Sequence, residues 1–220
     1  MTTTRDVATA GTPLAHANAA VILLHGRGAT AAGILSLAQA FAEPGIAYLA
    51  PQAPGGSWYP YSFLAPIARN EPFLSRSLET VGELVGDLAA QGFGSERVSL
   101  IGFSQGGCLA LEFAARNARR YGAVIGLSAG LIGPDGTPRN YQGSLDGTPV
   151  FLGCSDVDSH IPLNRVRESS RVLGSLGGEV IERIYPGMAH TVNDDEIAQT
   201  RLLLERILHV QELQAKVAAS

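Results

Sequence analysis

Short apolar runs alternate along the chain with segments whose apolar positions recur every three or four residues. The clearest run is AAVILLHG at residues 19–26, which is continuous and ends at a glycine, as in a strand buried on both faces. Apolar residues at three- and four-residue steps predict instead a helix of about five turns over residues 75–91. Buried strands that alternate with helices are typical of a parallel sheet covered on both faces. The pattern therefore predicts a doubly wound α/β fold.

The rest of the chain continues this alternation and predicts one domain over residues 19–220, preceded by a loosely ordered segment, 1–18. Between two predicted elements lies PQAPGGSWYPYSFLAPIARNEP, which is too long and too apolar for a simple turn. In such sheets, ligands bind beyond the carboxyl ends of the strands, so residues that follow strands are the site candidates. Further strands are predicted in IAYLAP, RVSLIGF, YGAVIGLSAG, TPVFLGCS and EVIERIY, and further helices in AAGILSLAQAFAEPG, in 105–116, after Pro162 and from about Asn193.

A serine boxed by glycines stands where one predicted strand runs into a helix, in Gly102-Phe-Ser104-Gln-Gly106. Chance placement would give roughly 0.2 such motifs in a chain of this composition, so the pattern alone is weak. The alternative is a turn that needs glycines only for packing. The setting favours a nucleophile, because a sharp strand-to-helix turn presents the serine oxygen above the sheet. Gln105, which opens the helix, would aim its backbone N–H at developing negative charge.

A nucleophilic serine needs a base, and in this kind of sheet the base comes last along the chain. Three histidines follow Ser104. His190 lies in YPGMAHTVNDDE, between the last predicted strand and the last helix, where a loop can reach back over the sheet. His209 falls inside a predicted helix, and His160 is better placed beside the acid than beyond it. We therefore predict His190 as the base.

The acid that orients the base should follow the strand TPVFLGC, in the segment SDVDSHIP. Asp156 and Asp158 both qualify by position. Asp158 begins an Asp-x-x-Ile-Pro run that leads into the next helix, close to the loop that bears the base. We predict Asp158 as the acid and keep Asp156 as the alternative, with a role in bracing the loop.

The loop HGRG at residues 25–28 follows the first buried strand, where backbone N–H groups can face the serine and form an oxyanion hole. Arg27 and Gln105 are the predicted N–H donors, and His25 is expected to hydrogen-bond within its own loop and to take no part in proton transfer. An apolar lip for the substrate is predicted in the irregular segment and beside the base, the alternative being that its residues pack the loop onto the domain. The lip candidates are Trp58, Tyr59, Phe63, Leu64 and Met188.

Together these stretches resemble the carboxylesterase and phospholipase family of small α/β-hydrolases, which includes acyl-protein thioesterases and compact bacterial carboxylesterases. The likeness spans residues 21–197 and rests on LLHGRGAT, PQAP with WYPYSF, LIGFSQGGCLALEFA, DSHIP and YPGMAHTVNDDEI. It implies an α/β-hydrolase fold and the roles already inferred for the nucleophile, acid, base and oxyanion donors. The sequence departs from the family pattern at two places. Arg27 stands where relatives often carry leucine. Two extra residues lie between Gly153 and Asp-x-x-Ile-Pro, and because of them Asp156 remains the alternative acid.

Net charge and composition limit the classes of partner and the location that the sequence predicts. The net charge is -4 and the arginines are scattered, which argues against binding to nucleic acid. No run of 18 apolar residues predicts a membrane span, and the N-terminus does not resemble a secretory signal. Cys108 and Cys154 lie in apolar segments and fit small buried residues in a reducing cytoplasm.

The sequence therefore predicts a serine hydrolase that cleaves a small carboxylic ester through an acyl-enzyme and needs neither a metal nor an organic cofactor. An acyl thioesterase or a lysophospholipase on the same triad is the alternative, and a non-catalytic binding module of the same fold is a third. A homodimer is compatible with the sequence, which does not fix the oligomeric state.

Overall fold

The computed structural model describes residues 6–218, and the side chains of residues 6–209. The strands of this part are β1 (Val7–Gly11), β2 (Ala19–Leu24), β3 (Ile46–Pro51), β4 (Val98–Phe103), β5 (Val124–Leu127), β6 (Pro149–Ser155) and β7 (Glu179–Tyr185). The α-helices are α1 (Ala31–Ala38), α2 (Ile67–Asn70), α3 (Phe73–Ala90), α4 (Gln105–Arg116), α5 (Leu163–Ser175) and α6 (Asp194–Ala218).

The strands form a single sheet in the order β1-β3-β2-β4-β5-β6-β7, in which only β1 runs antiparallel to its neighbour. Alternate residues of β2 point to opposite faces: Ile22 belongs to the core cluster that α3, α4 and α5 cover, whereas Val21 belongs to the cluster that α1 and α6 cover. Both faces are therefore buried, which explains the continuous apolar run. The predicted mostly parallel, doubly wound α/β architecture is confirmed.

The described part of the N-terminal segment, residues 6–18, departs from the expectation of loose order; residues 1–5 lie outside the described residues. Residues 7–11 form β1 and pair with β3 along its whole length. The sequence VATAG carries no alternation of apolar and polar positions, because this edge strand is half-buried or exposed and is held by main-chain pairing. The predicted strand YGAVIGLSAG is also shorter than expected, since only residues 124–127 are extended.

The loops that carry the site candidates all leave the carboxyl ends of neighbouring parallel strands. The segments after β2, β4, β6 and β7 therefore converge at one edge of the sheet. The helix that follows the last of these loops, α6, is 25 residues long. Neither α6 nor any other helix within residues 6–218 has the apolar length needed to span a bilayer.

Candidate active site

Ser104 sits in a strained turn between β4 and α4. Its φ of 53° and ψ of -120° lie in a region that L-residues rarely adopt. The conformation is fixed from both sides, since the Ser104 N–H donates to the Leu127 carbonyl at 2.9 Å and the Ser104 carbonyl accepts from the Cys108 N–H at 2.9 Å. The turn thus projects the hydroxyl beyond the sheet.

The two flanking glycines are required by close backbone contacts. A Cβ on Gly102 would lie against the backbone of Gly106, and a Cβ on Gly106 would lie against the carbonyl of Leu24. A larger residue at either position would push α4 away from β4 or β2. The glycines of the motif therefore hold the helix tightly enough for Ser104 to occupy the turn.

A continuous chain of hydrogen bonds joins the three predicted catalytic side chains. The Ser104 hydroxyl lies 2.9 Å from His190 Nε2, and His190 Nδ1 lies 2.7 Å from Asp158 Oδ2. A carboxylate can only accept, so Nδ1 carries the proton and Nε2 presents its lone pair to the serine. This is the tautomer in which an imidazole can take a proton from Ser104.

Asp158 is held as an anion by several donors. Its side chain is fully buried, and Oδ1 accepts from the backbone N–H groups of His160 at 2.8 Å and Ile161 at 3.0 Å. Burial raises the pKa of the carboxyl, but the hydrogen bonds from His190 and from these N–H groups outweigh it, so the pKa lies below its ordinary value. The charge needed to orient and stabilise the imidazole is therefore present at neutral pH.

Asp156, the alternative acid, lies elsewhere. Its Oδ1 accepts from the Gly187 N–H at 2.8 Å, in the loop between β7 and His190. The two aspartates thus act on the same loop at different points: Asp158 contacts the histidine ring, and Asp156 ties down the backbone three residues earlier.

The far end of this loop is fixed by a pair that the sequence analysis missed. Asn193 Oδ1 accepts from the Glu196 N–H at 2.9 Å, and Glu196 Oε2 accepts from the Asn193 N–H at 2.9 Å. This reciprocal cap starts α6, and the spacing Asn-x-x-Glu before a helix was its available signal. Glu196 is fully buried, which raises the pKa of its carboxyl to about 7, although the hydrogen bond from Asn193 lowers it.

Arg27 and Gln105 use their side chains and their backbones for different purposes. The Arg27 guanidinium donates to the carbonyls of Pro60 at 2.9 Å and Tyr61 at 2.7 Å, and Gln105 Nε2 donates to the Tyr59 carbonyl at 2.8 Å. Both side chains thereby hold the 57–61 segment. Among the described residues, neither backbone N–H donates to an acceptor of the chain, and both residues line the cavity beside Ser104. The two N–H groups are available to an oxyanion.

His25 is buried and both of its ring nitrogens have partners. Nδ1 donates to the Gly26 carbonyl at 2.8 Å, and Nε2 accepts from the Ala53 N–H at 3.1 Å. The His25 carbonyl in turn accepts from Trp58 Nε1 at 2.8 Å. His25 therefore organises the loop after β2 and has no nitrogen left for proton transfer.

A cavity of about 590 Å³ opens beside Ser104, a volume suited to a small organic molecule. Of the five predicted lip residues, Tyr59 and Phe63 line it. Its walls also include residues that the sequence analysis had not assigned to substrate, among them the His160 ring, 4.7 Å from the His190 ring. The main lining residues are Gly26, Arg27, Tyr59, Pro60, Tyr61, Phe63, Phe103, Ser104, Gln105, Cys108, His160, Ile161 and His190.

The other three lip candidates lie outside the cavity lining. Trp58 is in the core, where its indole N–H is bonded to His25. Leu64 packs against the same core, and Met188 accepts a hydrogen bond from Asn193 Nδ2 at 3.0 Å. Trp58 and Leu64 therefore pack their loop onto the domain, which is the alternative that the sequence had left open for them.

Known proteins resemble this chain over most of its length. Residues 7–207 match a family model described as phospholipase/carboxylesterase. Acyl-protein thioesterase 1 of Emericella nidulans is 28% identical over 218 residues, which cover 86% of this chain and 90% of the relative. The crystal structure of a phospholipase/carboxylesterase from Dyadobacter fermentans is 44% identical, with a TM-score of 0.87 over 93% of this chain and 97% of its own. The Bacillus cereus carboxylesterase, 16% identical over 94% of this chain and 96% of its own, shares the fold with a TM-score of 0.73.

Proposed function

The chain belongs to the phospholipase/carboxylesterase family of α/β-hydrolases, and from that premise we propose that it hydrolyses carboxylic esters with Ser104 as the nucleophile. His190 acts as the general base and Asp158 as the acid that orients it. The observation that carries this proposal is the hydrogen-bonded chain from Ser104 Oγ to His190 and on to Asp158, with distances of 2.9 and 2.7 Å. The strained turn that presents Ser104 supports it.

In the first half-reaction, Ser104 Oγ attacks the ester carbonyl carbon while its proton passes to His190 Nε2. The carbonyl oxygen becomes an oxyanion, which the N–H groups of Arg27 and Gln105 stabilise. The imidazolium then gives its proton to the alcohol oxygen as the bond between that oxygen and the acyl carbon breaks. Alcohol leaves, and the acyl group stays on the serine.

In the second half-reaction, water takes the place of the alcohol. His190 Nε2 accepts a proton from the water as its oxygen attacks the acyl carbon, and the same donors hold the oxyanion. Collapse of the intermediate breaks the bond to Ser104 Oγ, which regains its proton from His190. The carboxylic acid is released and the resting tautomer is restored.

The test is Ser104→Ala, assayed with p-nitrophenyl butanoate and with a fluorophosphonate probe followed by peptide mass spectrometry. We expect the wild type to be labelled at Ser104 and the variant to lose at least about 10⁴-fold in kcat/KM. Ser36→Ala, which alters an exposed serine on α1, is the matched control and should keep full activity. Retained hydrolysis by Ser104→Ala, with no label on Ser104 in the wild type, would refute the mechanism.

A second candidate is hydrolysis of acyl thioesters by the same residues. It is favoured by the likeness to acyl-protein thioesterase 1, since the same attack on an acyl carbonyl serves either leaving group. An ester and a thioester with one common acyl group separate the two candidates. The ratio of kcat/KM for the thioester to kcat/KM for the ester is compared with the ratio of their rates of alkaline hydrolysis. An enzymatic ratio larger than the alkaline ratio would favour the thioesterase.

We also propose a cytoplasmic location. Cys108 and Cys154 are both free thiols and both buried, which suits a reducing compartment. Fractionation of the native source, with antibody detection, is the direct test.

A further inference from the structure

The hydroxyl of Tyr59 is a buried polar group that the catalytic mechanism does not use. Tyr59 lines the cavity beside Ser104 and is only 1% exposed. Its Oη is buried and has no partner within the described chain other than a weak interaction with the Cys108 thiol. Most buried polar atoms in folded proteins have a strong hydrogen-bond partner, so a hydroxyl left with only a thiol at a cavity wall points to a ligand.

Cys108 lies beside this hydroxyl and one helical turn after the nucleophile. It is fully buried, lines the same cavity and lies in the first turn of α4, where its N–H donates to the Ser104 carbonyl at 2.9 Å. Burial raises the pKa of the Cys108 thiol to about 12 and raises the pKa of Tyr59 well above its usual value. Both groups are therefore uncharged donors, the thiol a weak one.

The surroundings of the pair favour a neutral ligand atom. The carboxylate of Glu112 raises the pKa of both groups, so the local potential disfavours a further negative charge. Two arginines act on the pair. Arg27 is 5.9 Å from the centre of the Tyr59 ring and is already bonded to main-chain carbonyls of the 57–61 segment, and Arg165, which lowers the pKa of Cys108, is paired with Asp135. An uncharged oxygen with free lone pairs, such as an ether or ketone oxygen, fits these conditions.

We propose that Tyr59 Oη and Cys108 Sγ form a polar end of the cavity that binds an uncharged acceptor oxygen carried by the substrate. The proposal rests on the proposed function, because it places this oxygen relative to the carbonyl that Ser104 attacks. Cys108 stands one helical turn, a rise of about 5.4 Å, beyond the nucleophile, so the oxygen lies about three or four bonds from that carbonyl. It can belong to the acyl group or to the alcohol, and the experiment separates the two.

The experiment compares isosteric substrate pairs that differ by one ether oxygen. For the acyl group, the pair is p-nitrophenyl 3-methoxypropanoate and p-nitrophenyl pentanoate. For the alcohol, the pair is 2-methoxyethyl butanoate and n-butyl butanoate, followed by acid release. For each pair, the ratio of kcat/KM for the ether to that for the hydrocarbon is measured in the wild type and in Tyr59→Phe, so differences in intrinsic reactivity cancel.

We expect Tyr59→Phe to lower this ratio about tenfold in one pair, mainly through slower turnover of the ether, because one neutral hydrogen bond is lost. Tyr61→Phe is the matched control, since Tyr61 lines the same cavity but is 46% exposed and its hydroxyl has access to water. Its ratios should equal those of the wild type. Because the hydroxyl has only a thiol as partner, its removal should leave the Tm of Tyr59→Phe nearly unchanged or raised.

An unchanged ratio in both pairs would overturn the polar subsite. Labelling of Ser104 in the same protein would show that the proposed function still holds. A Tm lowered by several degrees in Tyr59→Phe would also overturn the subsite, because the hydroxyl would then have a strong partner in the free protein. If the wild type hydrolyses none of the esters, the proposed function fails for them. The subsite is then tested by ligand binding, measured as a rise in Tm. The rise produced by 3-methoxypropanoate is compared with that produced by pentanoate, and the rise produced by 2-methoxyethanol with that produced by butanol. Equal Tm rises within both pairs would overturn the subsite.

Discussion

Glu196 gives a prediction about stability whose magnitude follows from its burial. The carboxyl is fully buried beneath the loop that bears His190, and its pKa is raised from 4.5 to about 7. The difference of about 2.5 corresponds to about 3 kcal/mol at 1.36 kcal/mol for each pKa unit. Ionisation of Glu196 therefore destabilises the folded protein by this amount, and Glu196→Gln, which cannot ionise, removes the penalty.

The sign follows from which state holds the proton more tightly. The folded protein binds it more tightly than the unfolded chain, so the contribution of Glu196 is fully present below about pH 4.5 and is lost as the pH rises through about 7. Between pH 5 and pH 8 the wild type should lose about 2.5 kcal/mol of unfolding free energy through this group. The lowered pKa of Asp158 acts in the opposite direction, but it is common to both proteins and cancels in the comparison.

Urea unfolding of the wild type and Glu196→Gln at four pH values from 5 to 8 measures this difference. We expect the unfolding free energy of the variant, relative to that of the wild type, to increase by about 2.5 kcal/mol from pH 5 to pH 8, whatever the difference between them at pH 5. Glu205→Gln, an exposed position on the same helix, is the control and should give a difference that does not vary with pH. A flat difference for Glu196→Gln as well would refute the reasoning, because the buried carboxylate would then be as well solvated as in the unfolded chain.

The remaining predictions concern the triad and the nucleophile turn. Asp158→Asn should lower kcat by about 10⁴-fold with p-nitrophenyl esters, because an amide favours the wrong imidazole tautomer. Asp156→Asn should lower it less than about tenfold, because an amide oxygen can still accept from Gly187; equal losses in the two variants would contradict the assignment of the acid. Gly106→Ala should lower the Tm sharply or prevent folding, since its Cβ meets the Leu24 carbonyl, whereas Gly86→Ala, in open space on α3, should raise stability by up to about 1 kcal/mol. Thermal melts that rank the two glycine variants the other way would contradict the packing argument.

The strands and helices whose buried positions follow a regular spacing along the chain could be predicted from sequence. A strand buried on both faces, such as β2, must be apolar at every position, and α3 must repeat its apolar residues at helical spacing. The order of serine, acid and histidine along the chain then places Ser104 and His190 at one edge of the sheet. β1 could not be predicted in this way, because an edge strand held by main-chain hydrogen bonds leaves little trace in its side chains.

The choice between the two aspartates needed the folded main chain. Asp156 and Asp158 have the same chemistry and nearly the same position, and the difference lies in where backbone N–H groups point. Two N–H groups converge on Asp158, and a third meets Asp156. The place of Trp58 needed the main chain for a related reason, since its large apolar ring suited a lip as well as a core, and the partner that fixes it in the core is a main-chain carbonyl.

Arg27 contributes to the site in two separate ways, through its backbone N–H and through its guanidinium. In the proposed mechanism the oxyanion donor is a backbone N–H, which any residue except proline supplies, so the proposed hole does not depend on an arginine at this position. The guanidinium, in contrast, fixes the 57–61 segment through two carbonyls and so sets where Tyr59 stands in the cavity wall. A change of side chain at position 27 should therefore alter which substrates fit before it alters how the oxyanion is stabilised, and it should affect KM more than kcat.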